Sequence, residues 1–375
     1  MRTRYFRDST GKASIKAVVF ERADHNVSRS SIDLDARKIC TRLNEQGHEA
    51  YIVGGAVRDL LLGRTPKDFD IATDASPSRV KRLFRNSRVI GKRFRLVHIF
   101  FRDGKIHEVA TFRAPESGDR NHVYGSLYED VMRRDFSLNA LYYDPSEETI
   151  LDFVNGVSDI RKRVVKSVLP LNSSFSEDPV RMLRAVKYAA ITGMKISGPV
   201  GRRIKKDAPL LATASLSRLS EELYKILSSR NSEGIMRLME RYNLIDCLLP
   251  NIPLSIREDT FLSLGQLDEK LISRDLSRGV MIYHLCGKAL ESRGVFEGSG
   301  KTGPVYPDIL RTMKDLIKPL VQPNRDVEEA VRMMFKEHGL KIPRKRPRNY
   351  ESSDSPVQRR RHRRRKPSEA PKKSE

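Results

Sequence analysis

The chain has 375 residues, of which 38% are apolar, enough for a sizeable core and two or three domains. Its 71 Lys and Arg outweigh 48 Asp and Glu, for a net charge of +23. Residues 341–375 carry 14 of those bases against 4 acids, a net of +10, which leaves +13 on the first 340 residues. A basic body with a basic tail points to a polyanion such as nucleic acid. Three scattered cysteines without a CxxC pair speak against a disulfide framework or zinc site, and there is no 18-residue apolar run for a membrane span. A soluble protein of the cytoplasm is expected.

Residues 1–30 show no clear period and are expected to be a poorly ordered leader. Ile32, Ala36, Ile39 and Leu43 then fall on one helical face, stopped by Gly47. The pattern continues with a strand at Glu49–Val53, a tight turn at Gly54-Gly55, a short helix at Val57–Leu62 and a strand at Asp68–Ala72. Ser76 and Pro77 open a further helix. Strands follow at Arg88–Ile90, Leu96–Phe101 and Ile106–Phe112, completing a short sheet of about five strands. From Glu177 the pattern turns helical, as in Val180–Thr192, Ser217–Ser228 and Glu233–Tyr242. Beyond Lys341 almost nothing is apolar, so that tail is expected to be disordered.

The chemistry concentrates in Val53–Asp74, VGGAVRDLLLGRTPKDFDIATD. Asp68 and Asp70, two apart on a strand, would direct their carboxylates to one face. Such a pair is tenable with a cation between the acids, and magnesium prefers carboxylate and phosphate oxygens. Gly54 and Gly55 would let the backbone approach a phosphate, and Arg58 would add charge. The bland reading of the same residues is turn punctuation and a surface arginine. Glu108, flanked by apolar residues, suits a third metal ligand or an organiser of the site; an exposed glutamate is the alternative.

Downstream, Arg133 and Arg134 beside Asp135 suit a triphosphate, with Asp135 or Asn139 placed to accept from a ribose hydroxyl, or else they form a surface ion-pair cluster. Asp178 and Arg181, three apart at a helix opening, can imitate a base's pairing edge with one acceptor and one donor; a cap and a surface pair are the ordinary alternative.

Together, and in this order, these segments resemble the class II nucleotidyltransferases, the family of bacterial poly(A) polymerases and tRNA CCA-adding enzymes. The resemblance covers about residues 31–250. GGAVRDLLLG through KDFDIAT resembles the metal and phosphate motif, RRDFSLNAL the ribose motif and EDPVRMLRAVKYAA the base-recognition helix. LDFVNGVSDI resembles a flexible connector and RLSEELYKIL a neck helix. Ser137 stands where the family usually has Thr and keeps the hydroxyl.

The resemblance implies an α+β chain: a mixed-sheet head at 31–160, a helical neck at 161–230, an RNA-binding helical body at 231–340 and the basic tail. It implies two Mg2+ ions on Asp68 and Asp70, and Asp135 as a further active-site acid. Arg134 and Asn139 would contact the nucleotide, while Asp178 and Arg181 would read the base. The implied reaction joins AMP from ATP to RNA 3′ ends. RVIGKRFRLVHIFF and the arginine-rich tail favour the poly(A) polymerase branch over a CCA-adding enzyme or an inactive RNA-binding homologue.

Overall fold

A computed structural model describes residues 1–7, 13–91, 96–114, 124–296 and 306–342. The strands are β1 (Arg2–Arg7), β2 (Ala13–Phe20), β3 (Ala50–Val53), β4 (Asp70–Thr73), β5 (Ser87–Ile90), β6 (Leu96–Phe100), β7 (Ile106–Thr111), β8 (Leu141–Asp144) and β9 (Thr149–Asp152), with a small pair β10 (Val164–Val165) and β11 (Lys195–Ile196). Helices α1 (Leu34–Glu45), α2 (Gly55–Leu61), α3 (Pro77–Leu83), α4 (Leu127–Met132) and α5 (Gly156–Arg161) accompany the large sheet. The helical half holds α6 (Leu171–Glu177), α7 (Val180–Thr192), α8 (Gly198–Asp207), α9 (Leu216–Leu227), α10 (Ser232–Arg241), α11 (Leu244–Leu248), α12 (Arg257–Ser273), α13 (Arg278–Glu291), α14 (Tyr306–Ile317) and α15 (Asn324–Glu337).

The sheet has nine strands in the order β1-β2-β9-β8-β3-β4-β7-β6-β5, and only β4 and β7 run parallel. It is larger than the five strands expected. The supposed leader supplies two of the additional strands: β2 pairs with β1 on one side and with β9 on the other. Its signal was a period of two, with Ala17 and Val19 buried while Lys16 is exposed and Val18 only partly buried. The other two, β8 and β9, form a hairpin of almost wholly buried residues, which lacks the polar alternation of a half-buried strand.

Local chemistry sets the element ends. Asp33 caps α1 by accepting from the Asp35 and Ala36 amides, and Ala36, Ile39, Cys40 and Leu43 then bury one stripe. Ser76 accepts from the Arg79 amide to start α3, with Pro77 in the first turn. The connector read as flexible is a strand followed by a helix. Asp152 fixes the joint between β9 and α5 by accepting from the amides of Val154, Gly156 and Val157.

Two apolar cores flank the sheet. The larger runs from α1 and α3 under Ile71, Val97, Ile99 and Val109 into the helical half. The smaller gathers Val19, Tyr51, Val53, Ala72, Phe112, Tyr142 and Leu151 beneath Leu127 and Val131 of α4. Among the described residues no helix is long and apolar enough to cross a membrane. The tail beyond 342 and residues 92–95 of the basic run lie outside the described residues.

Candidate active site

The site begins where β3 ends. Val53 pairs with Asp70, and at Gly54 the chain leaves the sheet with φ +70 and ψ −127 to start α2. A side chain at Gly54 would be strained by that backbone. Because β3 turns away there, Asp68 has no strand partner. The strand therefore starts at Asp70 rather than Asp68, and Asp68 lies in the approach to it. Both acids are exposed.

On the other flank, β7 runs parallel to β4 with Ile71 opposite Val109, which sets Glu108 beside Asp70 on the same face. Asp70 is exposed to solvent yet has protein packed closely around it. That crowding first, and then the negative charges of Glu108 and Asp68, push its pKa up to about 6, against the pull of Arg134 and His107. Glu108 meets one side-chain partner, His98 Nε2, at 3.0 Å. Three carboxylates thus crowd one end of β4, and their hard oxygens suit a divalent cation. Among the described residues no group of three or more His, Cys, Asp or Glu is gathered closely enough to hold a metal ion unaided. Magnesium bound by one or two carboxylates plus substrate phosphates fits such a set.

Behind the glycine turn lies a knot of satisfied charge. Arg134 donates from Nε to Tyr142 Oη (2.8 Å), from Nη2 to Asp130 (3.0 Å) and from Nη1 to the Asn139 carbonyl (3.2 Å). Asp130 also takes Arg133 Nε at 2.7 Å and the Tyr142 hydroxyl. Burial disfavours the Asp130 anion, but Arg134 and Arg133 outweigh it and hold its carboxyl below the usual range. Arg58 is buried rather than a surface arginine: it is forked onto Asp59 (2.8 and 3.0 Å), donates to Asn139 Oδ1 at 2.9 Å and lies 5.3 Å from the Tyr188 ring centre. Ser137 donates to Asp159 at 2.7 Å.

The helical half meets this knot through α7. Arg184 Nε sits 2.7 Å from Asp135, whose other oxygen accepts from the Phe136 amide. Arg181 is one turn earlier on the same stripe of α7. Asp178 does not share that helix, because Pro179 disfavours a helical residue before it and Asp178 is extended at φ −145. Its carboxylate accepts from Arg218 of α9 at 2.6 Å, while Arg181 donates to the Ser174 carbonyl at 2.8 Å. The two side chains therefore engage different neighbours. Asp130, Tyr142, Arg184 and Tyr188 went unread in the sequence, although Asp130 with Arg133 and Arg134 at helical spacing was a usable signal.

Comparison with known proteins gives this geometry its relatives. Residues 50–166 match the Poly A polymerase head domain, and residues 193–254 match the probable RNA and SrmB-binding site of polymerase A. The chain belongs to the nucleotidyltransferase family of poly(A) polymerases and CCA-adding enzymes. Poly(A) polymerase I of Salmonella typhi is 41% identical over 250 residues, covering 62% of this chain and 54% of the relative. The CCA-adding enzyme of Bacillus pumilus is 36% identical over 225 residues, covering 58% and 56%. The chain thus spans about half the length of the curated relatives it matches. Among solved structures, the Bacillus stearothermophilus CCA-adding enzyme in complex with CTP aligns with a TM-score of 0.54 at 26% identity, covering 80% of this chain and 82% of that one. The part of the sheet from β3 to β9 lies within the match to this family's head.

Proposed function

We propose that the protein is a template-independent polynucleotide adenylyltransferase, adding AMP from ATP to RNA 3′ ends in the cytoplasm. The observation that carries this reading is the position of Asp70, flanked by the glycine turn and Arg134 on one side and by Glu108 on the other. Asp68 and Asp70 are the residues that would hold two Mg2+ ions, shared with the phosphates of the substrate. Bound there, magnesium supplies a lowered pKa for the RNA 3′-OH and charge neutralisation for departing pyrophosphate.

The chain's own residues do the rest. Gly54 and Gly55 admit the triphosphate to the backbone at the start of α2. Arg134, held by Asp130 and Tyr142, sets positive potential next to Asp70, and Arg58 keeps Asn139 oriented toward the nucleotide. Asp135 ties the head to α7 through Arg184, so the joint carrying Asp178 and Arg181 is positioned to select the base. We divide the chain accordingly into a head to residue 160, a neck to 230 and an RNA-holding body to 340.

The stronger likeness to poly(A) polymerase I supports adenylate over CCA addition. The deciding experiment offers ATP or CTP to the full chain with an oligoadenylate primer and with a tRNA lacking CCA. ATP incorporation on the oligoadenylate is expected. CTP incorporation confined to the tRNA overturns the adenylate assignment, and incorporation unchanged in Asp70→Ala overturns the placement of the reaction at this site.

A further inference from the structure

The sheet is not covered evenly. Beneath α4 its second face is buried, but among the described residues the part formed by β7, β6 and β5 is open. Phe100 is 36% exposed and Ile106 48%, directly opposite each other across β6 and β7. Neither packs against either core, nor do Ile90 and Leu96 on the same face. Cross-strand register continues the row outward from the acids: Glu108 faces His98, and His98 faces Arg88. Arg88 is exposed and has no ion pair among the described residues. At about 4.8 Å per strand, three strand steps put Arg88 roughly 14 Å from Asp70.

We propose that this open face is the platform for the terminal nucleotides of the RNA, with bases against Phe100 and Ile106 and a phosphate on Arg88. The inference rests on the proposed function and follows from in-line geometry. The attacking 3′-OH must reach the α-phosphorus of ATP from the side opposite the departing pyrophosphate. The glycine turn, Arg134 and Asn139 occupy the β3 flank of Asp70, so the RNA end has the β7 flank to come from. An aromatic side chain, an aliphatic neighbour and an unpaired arginine next to catalytic acids suit single-stranded nucleic acid, where stacking and phosphate contact need no sequence. A wholly apolar segment would cover the hydrophobic residues but leave Arg88 without a counter-charge.

The test measures binding of the full chain to a short labelled oligoadenylate across a salt series, together with KM for RNA and for ATP. Phe100→Ala is expected to weaken RNA binding about tenfold, while Phe100→Tyr keeps it. Arg88→Gln should lower the salt slope by about one and raise KM for RNA, with KM for ATP unchanged in each variant. These side chains are exposed, so the variants should fold, which circular dichroism checks. Unchanged RNA affinity in both Phe100→Ala and Arg88→Gln overturns the proposal. So does a rise confined to KM for ATP, or a change in oligomeric state with RNA affinity intact. If the wild-type chain extends no RNA yet binds oligoadenylate through Phe100 and Arg88, the platform stands and the proposed reaction falls.

Discussion

Asp130 and Asp70 are both carboxylates of the head, and their surroundings push them in opposite directions. Asp130 is buried, with two arginines and a tyrosine hydroxyl turned onto it, and stays ionised below the usual carboxylate range. Asp70 is accessible, and burial followed by the charges of Glu108 and Asp68 raises its pKa to about 6. Matched charge builds the scaffold around Gly54; unmatched charge is kept for something that arrives from outside. The difference separates residues whose loss harms folding from residues whose loss harms turnover.

Substituting on each side of that divide should give opposite signatures. Asp70→Asn should cut nucleotide incorporation on the order of 10^4-fold, the scale of losing a central member of a catalytic set. It should also raise the melting temperature of the metal-free protein at pH 8. A carboxyl whose folded pKa lies above its unfolded value loses stability as pH climbs from 3.8 through about 6, and the amide has no such loss. A fall in melting temperature would put Asp70 in the scaffold class. Asp130→Ala should do the reverse, costing about 3–5 kcal/mol in urea unfolding by leaving Arg134 buried without its carboxylate.

The helical half offers a sharper version. Lys187 and Glu222 form a buried ion pair between α7 and α9. Lys187→Met should cost about 3 kcal/mol, and adding Glu222→Leu should recover most of it, because the penalty lies in the stranded charge. If the double variant is as unstable as the single, the pair is held by something other than charge matching. The smallest effect belongs to His284, buried between Ser263 (3.0 Å) and Lys270 (3.2 Å), with its pKa pressed down to about 4 by burial and then by Lys270. A histidine kept neutral in the fold but protonated when unfolded drains stability as pH falls from 6.5 to about 4. The loss should reach at most about 3 kcal/mol, and His284→Gln should show a shallower decline in acid melts.

Much of this was readable before any coordinates. The segment from Leu34 to Thr73 follows its caps, glycines and apolar spacing closely, since short elements bounded by Asp33, Gly47, Gly54 and Gly63 leave the chain little choice. Glu108 beside Asp70 was one of the two readings that its strand and apolar flanks allowed, an exposed glutamate being the other. What stayed hidden depends on partners distant in the chain. The strand at Ala13–Phe20 needs β9, more than a hundred residues away, to become an interior strand. Asp178 looked helical by its spacing to Arg181, but Pro179 and the pull of Arg218, forty residues on, turn it elsewhere. Arg58 and Arg134 read as phosphate donors, and their engagement by Asp59, Asn139, Asp130 and Tyr142 is a property of packing that no local pattern contains.

The hairpin of β1 and β2 has a consequence for handling the protein. A chain trimmed to start after Phe20 would uncover the β9 edge, where Ile150 and Leu151 are buried and the backbone of Ile150–Asp152 is paired with β2. Such an edge invites pairing with another chain, whereas this sheet ends on Arg2 and Arg4 at one border and Arg88 at the other. Like-charged borders repel stacking, so shortening the amino terminus to gain a tidier domain should instead yield an aggregating one.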